Sequence, residues 1–267
     1  MTLVVRHLLL ILLLVGCQQF TYTTANGEIY GTSYKYRFVH PEGQELYPLI
    51  PEKIEKELNR IDLIFSTYKE NSEVLNTSIE EMNSWSKDLR YLYDLSLNLS
   101  EKSKNAFDPL QGRVLDFSAV AKGYAVDKVA DIMQENGIND YFIEIGGEIK
   151  ARGLAPHRGN WKWAIEDPFS MNQKIFKSFL MPSKGLSIAT SGEYKNPGHI
   201  WGEGPRDVAN VTVLHESAAY ADAWATTMYV LGTKEGLKIA ENEQIAVFFI
   251  KKDGETLNSS KWSKIYP

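Results

Sequence analysis

The sequence predicts an α+β fold, and two features of its layout carry that reading. Segments with apolar residues at helical spacing come first, and short β-like runs separated by Gly, Pro and Asn cluster later in the chain. At 267 residues and 43% apolar, the chain is able to bury a core sufficient for one large domain or two small ones.

The chain opens with Arg6 and His7 ahead of LLLILLLVG (8–16), an apolar run too short to span a bilayer and of signal-peptide length. Residues 17–28 read as a polar tether. The Tyr-rich alternation of IYGTSYKYRFV (29–39) predicts a strand. Ile54, Leu58, Ile61 and Phe65 recur at helical spacing within 51–65, with Pro51 in the first turn. Further helices are predicted over 87–103 and 119–137, the latter closed by Gly137 just past its end. Short β-like runs follow at 140–153, 161–168, 177–192 and 210–217. A buried helix over 217–232, a shorter one near 233–243 and a hairpin over 245–258 complete the chain. The organisation is then a signal peptide (1–16), a tether (17–28) and one folded domain (29–267).

The net charge of -5 and the lack of any Lys/Arg-rich run give no reason to expect a nucleic-acid partner. LVGC (14–17) resembles a bacterial lipobox. That resemblance implies lipidation of Cys17 and an exported membrane lipoprotein facing the periplasm or the cell exterior. Cys17 is the single cysteine, so the chain has no intramolecular disulfide and no cysteine metal cluster.

Within SAAYADAWATTMYVLG, Asp222 stands among apolar residues with Thr226 on the same helical face one turn later. A buried carboxylate needs a partner. The pair suits an oxygen-seeking cation such as Mg²⁺; equally, Asp222 could cap its own helix while Thr226 packs. In DFSAVAKGYAVDKV (116–129) a small-residue loop opens into a helix beside Lys122, an arrangement open to an anion or to a plain tight turn. Gly146 and Gly147 follow a strand and permit close approach of a ligand or of another strand. ATSGEY (189–194) with Tyr194 is another turn, and His199 follows it.

The order of these segments closely resembles the FAD:protein FMN transferases of the ApbE family. DFSAVAKGYAVDKV, IEIGGEIKARG, ATSGEY with a following HI, then VTV and ADAWATTMYVLG carry the match, with YGTSY, IFSTYKENSEV and NAFDPLQG ahead of them. The resemblance implies a single ApbE-like domain with a mixed or antiparallel sheet flanked by helices. It also implies a Mg²⁺-dependent enzyme that moves FMN from FAD onto a Thr or Ser of a target protein, a subunit of a flavin-dependent redox complex, and releases AMP. Asp222, Thr226 and the carbonyl of Ala119 would then be metal ligands. Tyr30, Tyr68, Ala106, Phe107, Asp108, Asp116, Lys122 and Trp201 would meet FAD, with His199 as the general base.

The chain departs from the family at three places. Ala225 stands where many members carry a further Asp, only a short segment separates Asp108 from Asp116, and HIWGEGPRD lacks the family's Asp-Pro and Thr-Gly. The same metal and FAD positions would serve an FAD diphosphatase giving FMN and AMP, and Ala225 with the altered His segment leaves open a non-catalytic flavin-binding lipoprotein.

Overall fold

The structure, a computed structural model, describes residues 20–43, 49–111, 114–170, 172, 174–194 and 196–267. The expected signal peptide, Cys17 and its lipidation lie outside the described residues. Residues 20–28 are not a tether: they belong to strand β1 (Phe20–Ile29), which pairs antiparallel with β2 (Thr32–Pro41). The stretch read as one strand over 29–39 therefore contains a turn, where Tyr30 and Gly31 sit at φ 53° and 68°.

Helix α1 (Leu49–Phe65) buries Ile54, Leu58, Ile61 and Phe65, the residues whose spacing predicts it. A 3₁₀ turn (Ile79–Ser84) leads to α2 (Lys87–Lys102), whose Ser86 side chain accepts from the Leu89 amide. The short 108–116 segment forms a small ribbon, β3 (Leu110–Gln111) with β4 (Val114–Leu115), ahead of α3 (Ala121–Glu135). Gly137, at φ 77°, follows the α3 cap as expected.

Strands β5 (Tyr141–Ile145) and β6 (Glu148–Arg152) are joined by the Gly146–Gly147 turn. β7 (Lys162–Glu166) and β8 (Ile175–Leu180) pair as a separate ribbon. β9 (Leu186–Ser191), β10 (Val208–His215), α4 (Ala218–Asn242), β11 (Ala246–Lys251), β12 (Thr256–Asn258) and α5 (Ser260–Ile265) follow. The main sheet runs β1-β2-β5-β6-β9-β10-β11-β12, and each neighbouring pair is antiparallel. Among the described residues no helix is long and apolar enough to cross a membrane.

The alternation of β11 shows how the sheet divides two cores. Val247 and Phe249 point into the larger core under α1–α4, whereas Ala246, Phe248 and Ile250 join Trp163, Phe179 and Trp262 beneath the β7–β8 ribbon and α5. The sheet is thus covered on both faces. The two helices expected over 217–243 form one element broken at Gly232, whose backbone (φ 72°, ψ 179°) is not helical.

Helices α3 and α4 cross at Gly123. A Cβ there would lie 2.2 Å from the Ala218 carbonyl oxygen and 2.8 Å from the Asp222 Cβ. We expect Gly123→Ala to destabilise the domain by about 1–3 kcal/mol, the usual cost of overpacking. A urea midpoint unchanged from the parent would show that the crossing tolerates a methyl group.

Candidate active site

Helix α3 has no side-chain cap of its own, since its N-cap is Val120. The amide of Gly123, the third helical residue, donates instead to Asp222 Oδ2 of α4 at 2.9 Å. Asp222 therefore does not cap its own helix, whose N-cap is Ser217; it caps the neighbouring one. The service is returned, because Asp127 of α3 accepts from the amides of Ala218 and Ala219 at 2.9 and 3.0 Å and from Ser217 Oγ at 2.7 Å. Lys150 of β6 completes that cluster with an ion pair to Asp127 at 2.6 Å. Each carboxylate meets amides that a helix start leaves unpaired, where the helix dipole also favours negative charge.

Beside this pair of caps, Lys122 Nζ donates to Glu148 Oε1 at 2.7 Å. Burial opposes the Lys122 charge, but Glu148 and Asp222 more than offset it and hold its pKa above the ordinary lysine value. Burial pushes the Asp222 carboxyl up, Lys122 pulls it down, and the Glu148 carboxylate adds to the rise. Two buried carboxylates and one lysine leave this corner short of positive charge.

The corner opens into a cleft of about 720 Å³. Tyr30, Ala106, Phe107, Asp108, Asp116, Ala119, Lys122, His199, Trp201, Asp222 and Thr226 all line it. Tyr68 does not; it is 94% exposed on the turn after α1. Tyr30 contributes from the β1–β2 turn with its ring anchored, the hydroxyl donating to the Leu58 carbonyl at 2.8 Å. Asp108 and Asp116 each accept a backbone amide two residues on, from Leu110 and Ser118, which fixes the two loop bends. The glycine pair turns the β5–β6 hairpin at the cleft wall, where a Cβ on Gly146 would meet Thr32 at 2.8 Å and Lys122 at 3.2 Å. Close approach is thus to neighbouring side chains, including the lysine of the site.

His199 and Trp201 ride on the loop between β9 and β10. Arg206 holds that loop by donating to the carbonyls of Ile200 and Gly202, and it pairs with Glu193 at 3.4 Å. His199 Nδ1 bonds the Asn196 carbonyl. A carbonyl only accepts, so Nδ1 carries a proton, which leaves Nε2 as the ring nitrogen turned away from that bond. Trp201 is 57% exposed, a large ring offered to solvent at the cleft.

Among the described residues no cluster of three or more His, Cys, Asp or Glu side chains is arranged to hold a metal. A cation here would take mixed oxygen ligands, and Asp222 with Thr226 one turn on supplies a carboxylate and a hydroxyl, the latter 3.1 Å from Ser191 Oγ. The corner's shortage of positive charge fits such an ion. Ala225 is wholly buried in the apolar core and does not line the cleft. Glu148 is the residue that sequence reasoning missed: the Gly pair beside it was legible, but its role depends on a strand register that places it against α3.

The model of the ApbE family matches residues 30–115 and 110–249. The FAD:protein FMN transferase of Vibrio cholerae serotype O1 is 36% identical over 168 residues, covering 57% of this chain and 49% of that protein. The FAD:protein FMN transferase of Salmonella typhimurium is 31% identical over 154 residues, 53% and 43% of the two chains. The chain thus spans about half the length of the curated relatives it matches. Among solved structures, the flavin transferase ApbE from Vibrio cholerae superposes with a TM-score of 0.80 at 26% identity, over 92% of this chain and 99% of that one. The apo flavinyl transferase ApbE of Pseudomonas stutzeri gives 0.78 at 26% identity, over 93% and 97%.

The charge imbalance at Asp222 has a stability signature. Its folded pKa is raised, so the stability linked to its protonation is complete below the ordinary aspartate value of about 4 and is lost as pH rises through the raised folded value. In chelator, Asp222→Asn is expected to match the parent near pH 4 and to melt a few degrees higher near neutrality, since about 1 kcal/mol moves Tm by roughly 2–4 °C in a domain of this size. A Tm difference that does not change with pH would contradict this account.

Proposed function

We propose that this chain, which belongs to the ApbE family, is a Mg²⁺-dependent FAD:protein FMN transferase, exported and held at a membrane surface through lipidated Cys17. Its acceptor is a Thr or Ser hydroxyl on a subunit of a flavin-dependent redox complex. The observation that carries this reading is the convergence in one cleft of Asp222, Thr226, the α3 opening with Lys122, and the loop bearing His199 and Trp201. The names and structures of the relatives support it.

In the proposed reaction the acceptor oxygen bonds to the FMN-side phosphorus of FAD, and the bond from that phosphorus to the bridging oxygen breaks. AMP leaves with that oxygen, and the hydroxyl proton passes to His199 Nε2. Phosphoryl transfer of this kind rests on placement and charge stabilisation more than on covalent help. Bound through Asp222, Thr226 and the Ala119 carbonyl, Mg²⁺ would supply charge neutralisation on the diphosphate. The α3 amides and Lys122 favour the anionic centre. Trp201 offers an exposed ring face to the flavin or adenine, and Asp108 and Asp116 fix the two loop bends at the cleft.

The test is to incubate the whole chain with FAD and Mg²⁺, with and without an acceptor protein, and to follow AMP and protein-bound flavin fluorescence on a denaturing gel. AMP release that depends on the acceptor is expected. Release without an acceptor would make the protein a diphosphatase, and no release in either case would remove the enzymatic reading. Asp222→Ala should abolish turnover, and His199→Ala should slow it by about 100- to 10,000-fold, the usual share of a general base.

A further inference from the structure

Among the described residues three side-chain polar atoms are buried without a hydrogen-bond partner: Ser96 Oγ, Asn210 Oδ1 and Glu148 Oε2. Of the three residues, Glu148 alone lines the cleft. The residue is 4% exposed, and its other oxygen is taken by Lys122 at 2.7 Å. Its position follows from the alternation of β6: Ile149 and Ala151 pack beneath the ribbon, while Glu148 and Lys150 turn to the helical face and meet Lys122 and Asp127 of α3.

A buried carboxylate oxygen with nothing to accept from is costly, and a second carboxylate beside it makes the arrangement worse. The helical face of β6 resolves this at its other acidic neighbour, where Lys150 and three donors from 217–219 surround Asp127. At Glu148 and Asp222 the available donors are Lys122 and the Gly123 amide, which occupy Glu148 Oε1 and Asp222 Oδ2; of the two oxygens that remain, Glu148 Oε2 is buried with no donor, beside the Asp222 carboxyl. That oxygen is of the type a hard divalent cation takes.

We propose that Glu148 is a further ligand of the cation held by Asp222 and Thr226, donating through Oε2 while Lys122 fixes the carboxylate through Oε1. The assignment rests on the cation-dependent reading of the cleft and adds to it a ligand from the sheet. Lys122 is then a positioning residue for Glu148 as well as a contact for the anionic substrate. The ion would join three elements, with oxygens from the loop before α3, from α4 and from β6.

Binding of Mn²⁺ alone to the whole chain, followed by the loss of free-ion EPR signal and displaced by Mg²⁺, tests this without turnover. Glu148→Gln keeps the shape and the Lys122 contact and is expected to weaken Mn²⁺ binding by about 10- to 100-fold, the range seen when groups around a metal are altered. Glu148→Gln binding Mn²⁺ as tightly as the parent would overturn the assignment of Glu148. If Asp222→Asn then still weakened binding, the cation-dependent reading would survive that result. Absence of Mn²⁺ binding by the unaltered chain would remove both.

Discussion

The arrangement of the site depends on the exchange of caps between α3 and α4. Asp222 leaves α4 to satisfy the amide of Gly123, and Asp127 leaves α3 to satisfy the amides of Ala218 and Ala219. Each contact of this type stabilises a helix start by about 1 kcal/mol. Their geometric effect is larger than that figure conveys. The helices cannot rotate or slide without breaking both caps, and Gly123 lets them meet without a side chain between. Lys122, on the residue before Gly123, is carried into place by the same contact, and Thr226 follows from Asp222 by one helical turn.

The same exchange creates the tension that makes the corner useful. Asp222 is buried because it caps α3, and Glu148 is buried because β6 aligns with that helix. Lys122 compensates one of the two charges. A pocket relaxed in the absence of an ion would have placed an amide or an apolar group at one of these positions. The protein instead keeps a charge arrangement that costs stability, the familiar trade of stability against function.

Much of the fold was legible because it rests on local patterns. The spacing of Ile54, Leu58, Ile61 and Phe65 defines α1, and Gly137 closes α3 by a backbone angle that glycine adopts easily. Asp222 was conspicuous as a charge in an apolar helix, yet the sequence alone could not say which helix it caps, since Gly123 lies 99 residues away. The turn at Tyr30 and Gly31 was hidden in an alternating run, and β1 was hidden in a polar stretch because much of its surface faces solvent. Tyr68 was carried into the site by motif resemblance alone, and the turn after α1 aims it outward. The helix α5 was missed: six residues with one buried Trp give too little periodicity to read. Glu148 was missed for the opposite reason, because charged residues on a strand look exposed until the facing helix is known.

The break in α4 at Gly232 ties these parts together. Asp207 binds the amide and hydroxyl of Thr233 just past the break, Pro205 packs where a Gly232 side chain would be, and Gly202 and Gly204 lie against Val230. The loop carrying His199 and Trp201 thus ends on the helix that carries Asp222 and Thr226, close to where that helix changes direction. The two halves of the cleft share one reference point. The distance from His199 to the oxygens of Asp222 and Thr226 is therefore set within one joined unit, because the loop is fastened to the helix that carries them.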